Sequence, residues 1–442
     1  MNAATFAARR AALLEKLGPH AVLVLAAAPE IVVGRDTELR YVADAELFYL
    51  TGYTEPEAVL VLGPRSAEAP FVLFVRPRDA ARELWTGARG GEEAARSLFG
   101  ADVAHSIAEL SSKLPALLES LDVLYFRLGG GRAEVDGVLM RVLGEGRKTR
   151  PRTGTGPHTL VDPGELLDQM RLVKDAGELE AIREAARISS ESFTDALGLV
   201  RPGVGEWEIE AALEHGFRVR GGNGAAFPTI AAAGGNATVL HYIQNASEAR
   251  DGDLLLLDAG TRYHMYCADI TRTVPVSGRF SPAQRQVYDI VLAAHDAAIA
   301  VARPGITFDL VHATAQQVLA AGLIELGLAT GSTESIIESE DGLRRYFPHR
   351  TSHWLGLEVH DVGAYSARNG PVRLAAGMVM TIEPGLYIPE RGIGIRIEDD
   401  IVITSDGCEV LTAQVPTQPE QLEALLAKRA GAKEKRVDRE HV

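Results

Sequence analysis

Residues 253–274 read Asp253-Leu-Leu-Leu-Leu-Asp258-Ala-Gly260-Thr-Arg-Tyr-His-Met-Tyr-Cys-Ala-Asp269-Ile-Thr-Arg-Thr-Val274. Four leucines between two acids form a buried strand. An ionised Asp258 at the end of such a strand is costly unless it is paired, protonated or bound to a cation. The second half is another β-rich run with Asp269 inside it. A tight turn at Tyr263-His264 is expected to set Asp258 directly opposite Asp269 on an antiparallel ladder, where like charges destabilise each other. The blander alternative is a surface hairpin in which Arg272 offsets Asp269.

Downstream, Gly377-Met-Val-Met-Thr-Ile-Glu383-Pro-Gly385 is a strand pattern ending in an acid at a Pro-Gly turn. Ile393-Gly-Ile-Arg396-Ile-Glu398-Asp399-Asp400-Ile401 then alternates, so Ile395 and Ile397 share one face while Arg396 and Glu398 share the other. Asp399 and Asp400 read as structural acids at the strand end. Between these runs stand His349, His353 and His360, three histidines in twelve residues. Such a concentration beside strand acids points to chemistry, whereas His264, His295 and His312 read as turn or helix-face residues.

A set of Asp, Glu and His is too rich in oxygen for a structural zinc site and too rich in nitrogen for a typical calcium site. Two borderline divalent ions bridged by carboxylates suit it, with Mn²⁺, Co²⁺, Fe²⁺ or Zn²⁺ as candidates. No His-Glu-x-x-His, Gly-x-Ser-x-Gly or P-loop pattern occurs.

The rest of the C-terminal half is an echo of itself. A helix over about 176–199, capped by Asp175 with Glu178, runs into Arg201-Pro-Gly203, and a second follows over about 206–220. A helix over about 282–302, opened by Ser281, Pro282 and Gln284, runs into Arg303-Pro-Gly305, and another follows over about 307–328. Strand-like runs come after each pair, so this half reads as two α-α-β halves. The first 170 residues mix an amphipathic helix (5–17) with strands at 21–26, 58–63 and 71–75. Residues 146–165 read as a linker or long surface connection. The expected domains are 1–170, 171–415 and a peripheral polar tail, 416–442.

The chain of 442 residues holds 60 acids against 45 Lys and Arg, a net charge of −15. That balance disfavours nucleic acid and anionic membranes as general partners. Two cysteines, Cys267 and Cys408, exclude a disulfide framework and favour a cytoplasmic location. No membrane span or signal h-region is expected.

The order Asp258, Asp269, His353, Glu383, Glu398 resembles the metal-ligand series of the pita-bread metallopeptidases, the family of methionine aminopeptidase, prolidase and aminopeptidase P. The flanking phrases are similar too: Leu240-His241-Tyr242, Asp269-Ile-Thr-Arg-Thr273, Ser352-His353-Trp-Leu-Gly356, Val359-His360-Asp361, Ile382-Glu383-Pro-Gly385 and Arg396-Ile-Glu398-Asp399. Phe48-Tyr-Leu-Thr-Gly52, Glu55-Pro-Glu-Ala-Val59, Glu83-Leu-Trp85 and Met170-Arg-Leu-Val-Lys174 resemble the aminopeptidase P branch. The resemblance covers about residues 1–415.

It implies a creatinase-like α/β domain followed by a pita-bread domain with pseudo-twofold halves. By the same resemblance, Asp258 binds one metal, Asp269 and Glu398 bridge two, and His353 and Glu383 complete the second, with Mn²⁺ the foremost ion. Glu383, His241 and His360 are the implied catalytic residues. His241, His349, His360 and Trp85 are the implied substrate-side residues, Trp85 being presented by a neighbouring subunit. Arg396 is implied to steady a ligand carboxylate. Arg350 and Thr351 depart from the usual smaller or apolar residues.

The implied activity is release of the first residue from peptides with proline at position two, by a homodimer or homotetramer. Prolidase, methionine aminopeptidase, metal-free creatinase and an inactive binding module are the competing readings. The 170-residue N-terminal region disfavours methionine aminopeptidase. The complete ligand series disfavours creatinase and the binding module.

Overall fold

The structure is a computed structural model that describes residues 2–63, 68–130, 132–368 and 370–428. They fall into two compact units, Met1–Met170 and Arg171–Val442.

The N-terminal unit is built on a six-stranded mixed sheet in the order Val103–Ser106, Phe71–Val75, Val59–Leu62, Ala21–Ala26, Val123–Tyr125, Thr159–Val161. The three central strands pair antiparallel, and the outer ones join in parallel. Its middle strands are continuous apolar runs because both faces are covered. Helix Ala3–Lys16 buries Arg9 and Arg10, whose guanidinium groups donate to the carbonyls of Tyr49 and Leu50. The linker expected at 146–165 is not one. Helix Ala133–Thr153 runs through it, Thr159–Val161 is a sheet strand, and helix Gly164–Leu172 follows. Polar composition misled there because the helix is amphipathic, burying Val135, Val138, Leu139 and Val142 along one face.

The C-terminal unit repeats one motif. Helices Ala176–Leu197 and Glu206–Val219 precede a three-stranded sheet of Ile230–Ala233, Leu254–Ala259 and Ile270–Pro275. Helices Pro282–Val301 and Phe308–Glu325 precede a second one of Val379–Ile382, Asp399–Ile403 and Cys408–Val410. The capping boxes at Asp175–Glu178 and Ser281–Gln284 are both formed. Leu255 and Leu257 enter the main core while Leu256 enters a second cluster, so the four-leucine strand is buried on both faces. Each such side chain contributes about 1.5–3 kcal/mol.

The hairpin register differs from the expected one. Asp258 pairs with Thr271, and the turn falls at His264-Met265, both left-handed at φ 46° and 75°. Two positive φ values match the twist of a two-residue hairpin. The turn sits one residue later than Tyr263-His264, which moves the partner of Asp258 from Asp269 to Thr271. Gly260 makes room for the chain entering Asp269, since a Cβ there would lie 1.7 Å from the carbonyl oxygen of Ala268.

The start of the expected peripheral tail is packed. Residues 419–428 are helical, Leu422 is fully buried, and the Tyr288 hydroxyl donates to the Thr417 carbonyl. The polar residues face outward while two leucines four apart face the core. Residues 429–442 lie outside the described residues.

Candidate metal centre

Both three-stranded sheets deliver acids to one cavity of about 670 Å³. Asp258 ends the Leu254–Ala259 strand and Asp269 precedes Ile270–Pro275. Glu383 follows Val379–Ile382, and Glu398 sits between Ile393–Arg396 and Asp399–Ile403. Asp269, His353 and Glu398 present ligand atoms within 4.8 Å of one another. Nε2 of His353 is 3.6 Å from Asp269, 3.7 Å from Glu383 and 4.0 Å from Glu398. These separations exceed hydrogen bonds, whereas two ligands each about 2.1 Å from an ion at a tetrahedral angle stand roughly 3.4 Å apart.

Hydrogen bonds from neighbouring residues aim the donors. The His353 ring donates from Nδ1 to the carbonyl of Trp354 at 3.0 Å, which leaves the Nε2 lone pair facing the acids. The His353 backbone is held on Thr381, whose Oγ1 accepts its N–H. Nη2 of Arg396 donates to Asp258 at 2.5 Å, Nε to the Thr271 hydroxyl at 3.0 Å and Nη1 to the Tyr387 hydroxyl at 2.8 Å. Thr271 in turn donates to Glu398 at 2.6 Å.

Four carboxylates around one cavity repel each other. Burial, then Asp258 and the other nearby carboxylates, holds Asp269 well above the usual carboxylate range. Burial, then Asp269, does the same to Glu398, and burial pushes Glu383 up to about 7. Oδ1 of Asp258 and Oδ1 of Asp269 are buried without a hydrogen-bond partner. Orphaned oxygens, unrelieved negative charge and an aimed imidazole nitrogen fit a divalent cation.

His241, His349 and His360 line the same cavity. His349 is neutral: burial, then Arg396, lowers it to about 3. It donates from Nδ1 to the Arg350 carbonyl and accepts at Nε2 from the Tyr387 hydroxyl, each within 2.8 Å. The His360 ring stands edge-on to His353 at 4.5 Å between centroids. Desolvation, then His353 and His241, lowers its pKa. Trp85 is 86% exposed on helix Ala80–Thr86 of the N-terminal unit.

The expected structural residues have specific partners. Asp399 is held by Arg272, His295 and Thr412. Asp400 accepts the Asp269 N–H, and His312 bonds the Thr351 hydroxyl. Arg350, the departure beside His349, pairs with Asp309. Sequence reasoning missed Thr271 and Tyr387. Thr271 was visible inside Asp269-Ile-Thr-Arg-Thr273, but its role depends on the hairpin register. Tyr387 lay in an ordinary apolar strand.

The fold and donor set define a metal-dependent hydrolase. The metallopeptidase family M24 model matches residues 180–405, and the aminopeptidase P N-terminal domain model matches 6–125. The chain belongs to metallopeptidase family M24 and is a metallo-aminopeptidase. It is 41% identical to the Xaa-Pro aminopeptidase of Escherichia coli (strain K12), over 95% of this chain and 97% of that one. Its structure is similar to that of Pseudomonas aeruginosa aminopeptidase PepP, with a TM-score of 0.93 and 41% identity, over 98% and 99% of the two chains. Zinc-substituted E. coli aminopeptidase P in complex with product matches with a TM-score of 0.92 and 40% identity, over 97% and 99%.

Proposed function

We propose that this chain releases the first residue from peptides with proline at position two, using two divalent ions, Mn²⁺ foremost. The observation that carries this reading is the convergence of Asp258, Asp269, His353, Glu383 and Glu398 on one cavity with unrelieved negative charge. Asp258, Asp269, His353, Glu383 and Glu398 would hold these ions. Relatives with Xaa-Pro aminopeptidase activity in their names favour this specificity over prolidase. The zinc-substituted relative accords with a divalent site.

When bound, the ions supply hydroxide near neutral pH and polarise the scissile carbonyl. Glu383, at the cavity, takes up a proton and delivers it to the leaving proline nitrogen. His241 and His360, at the cavity wall, donate hydrogen bonds to the substrate carbonyl as it gains negative charge. His349, kept neutral and fixed by Tyr387 and the Arg350 carbonyl, orients the peptide. Arg396 fixes the orientation of the Asp258 carboxylate at the cavity.

The reading includes a cytoplasmic location and a homo-oligomer in which exposed Trp85 meets a neighbour's substrate. Among the described residues no helix is long and apolar enough to cross a membrane.

The test is Mn²⁺-supplemented cleavage of matched Xaa-Pro, Xaa-Pro-Yaa and Xaa-Ala-Yaa peptides. Release of Xaa from Xaa-Pro-Yaa, with Xaa-Ala-Yaa left intact, is the expected result. Cleavage of the dipeptide alone would make it a prolidase. Two ions per chain by elemental analysis checks the metal number.

A further inference from the structure

Asp361 follows His360 directly, yet it faces cations rather than the acids of the metal centre. Its side chain is 1% exposed. Oδ1 accepts from Nη2 of Arg171 at 2.6 Å, and Oδ2 accepts from Nζ of Lys174 at 2.9 Å. Arg171 Nη2 also donates to Glu358 at 2.9 Å. The Arg171 and Lys174 side chains are themselves 2% and 1% exposed. Desolvating three charged groups is expensive, and such pairs often contribute no more stability than apolar residues of the same size. What the arrangement secures is geometry.

The loop bearing this aspartate is closed on itself. The Asp361 N–H donates to the Trp354 carbonyl at 2.9 Å, and the Gly356 N–H donates to Glu358 at 3.1 Å. Gly356 lets the clamp shut, since a Cβ there would lie 2.2 Å from Oδ2 of Asp361 and 3.0 Å from Cε of Lys174. The cationic segment is itself fixed to the strand that leads to Glu383, with the Lys174 N–H donating to Gly377 at 2.9 Å and Val173 bridging Met378. His353 stands at one end of the loop and His360 at the other, their rings at 80°.

We propose that Arg171, Lys174 and Asp361 form a buried ionic clamp that sets His360 against His353. They are positioning residues for the step that His360 assists. The inference rests on the reading of His360 as a substrate-facing donor.

The test compares Lys174→Met, Lys174→Arg and Asp361→Asn in the natural background, and Lys174→Met again in a His360→Ala background, all loaded with Mn²⁺. The expected result is a kcat lowered about tenfold or more in Lys174→Met and Asp361→Asn, with KM changed less than threefold, metal content retained, and Lys174→Arg largely restored. In the His360→Ala background Lys174→Met is expected to change kcat less than twofold, because its effect has already been removed. A second readout is independent of turnover: in metal-free protein the ring resonances of His360 shift in Lys174→Met and return in Lys174→Arg. An equal fold-loss in both backgrounds, or an unchanged kcat and unchanged resonances in Lys174→Met, overturns the clamp. Full activity in His360→Ala overturns instead the role given to His360, and the resonances then decide the clamp alone. If Lys174→Met does not fold, isosteric Asp361→Asn carries the same comparison.

Discussion

Arg396 donates to Asp258 through Nη2 at 2.5 Å, a contact between residues 138 positions apart with both side chains almost closed to solvent. The same guanidinium holds the hydroxyls of Thr271 and Tyr387, so one planar fork fixes three groups around the cavity. A lysine can carry the charge but cannot reproduce that fork. Arg396→Lys is therefore expected to lower kcat/KM at least tenfold and to weaken metal retention, read by peptide hydrolysis and elemental analysis. Wild-type activity in that variant would show that charge alone suffices.

Thr271 separates a hydrogen-bond effect from a shape effect. Its hydroxyl donates to Glu398 and accepts from Arg396, and it is fully buried. Thr271→Val keeps the volume and leaves both partners unsatisfied. The expected cost is about 1–3 kcal/mol in denaturant unfolding, with activity lowered about tenfold. Unchanged stability would mean that water or a shifted Arg396 replaces the hydroxyl.

Chelation should expose the charge of the site. In the metal-free protein burial and neighbouring acids hold Asp269 and Glu398 well above the usual carboxylate range, and burial pushes Glu383 up to about 7. These groups hold protons more tightly folded than unfolded. For Glu383 the resulting contribution to stability is present below about pH 4.3, the unfolded value, and is lost as pH rises through about 7; for Asp269 and Glu398 it is likewise lost as pH rises. The gap in thermal midpoint between loaded and chelated protein is expected to widen between pH 4.5 and 8, and metal affinity to fall below pH 7. A gap independent of pH would contradict this.

Residues 419–428 pack into the core of the C-terminal unit. Leu422 is fully buried in the main hydrophobic cluster. Leu422→Ala is expected to cost about 2–5 kcal/mol, measured by urea unfolding. A loss below 0.5 kcal/mol would return that segment to the periphery.

Local patterns carried much of the architecture. Four leucines between Asp253 and Asp258 dictate a strand buried on both faces, because no polar side chain offers it a solvent face. Asp175 with Glu178, and Ser281 with Gln284, mark helix starts because each pair satisfies backbone donors within three residues. The acids and histidines of the cavity were legible because ionisable residues inside apolar strands are costly without a partner.

Contacts that depend on long-range register were not legible. On the ladder Asp258 pairs with Thr271 rather than Asp269 because two left-handed residues place the turn at His264-Met265, a choice set by strand twist. The roles of Tyr387 and the clamp on Asp361 exist only when segments tens to hundreds of residues apart are packed together. Residue type alone sets the cost of carrying a charge into the core, so the candidate charged residues are readable from the chain. Which of those charges meet depends on backbone twist and packing that no local window contains.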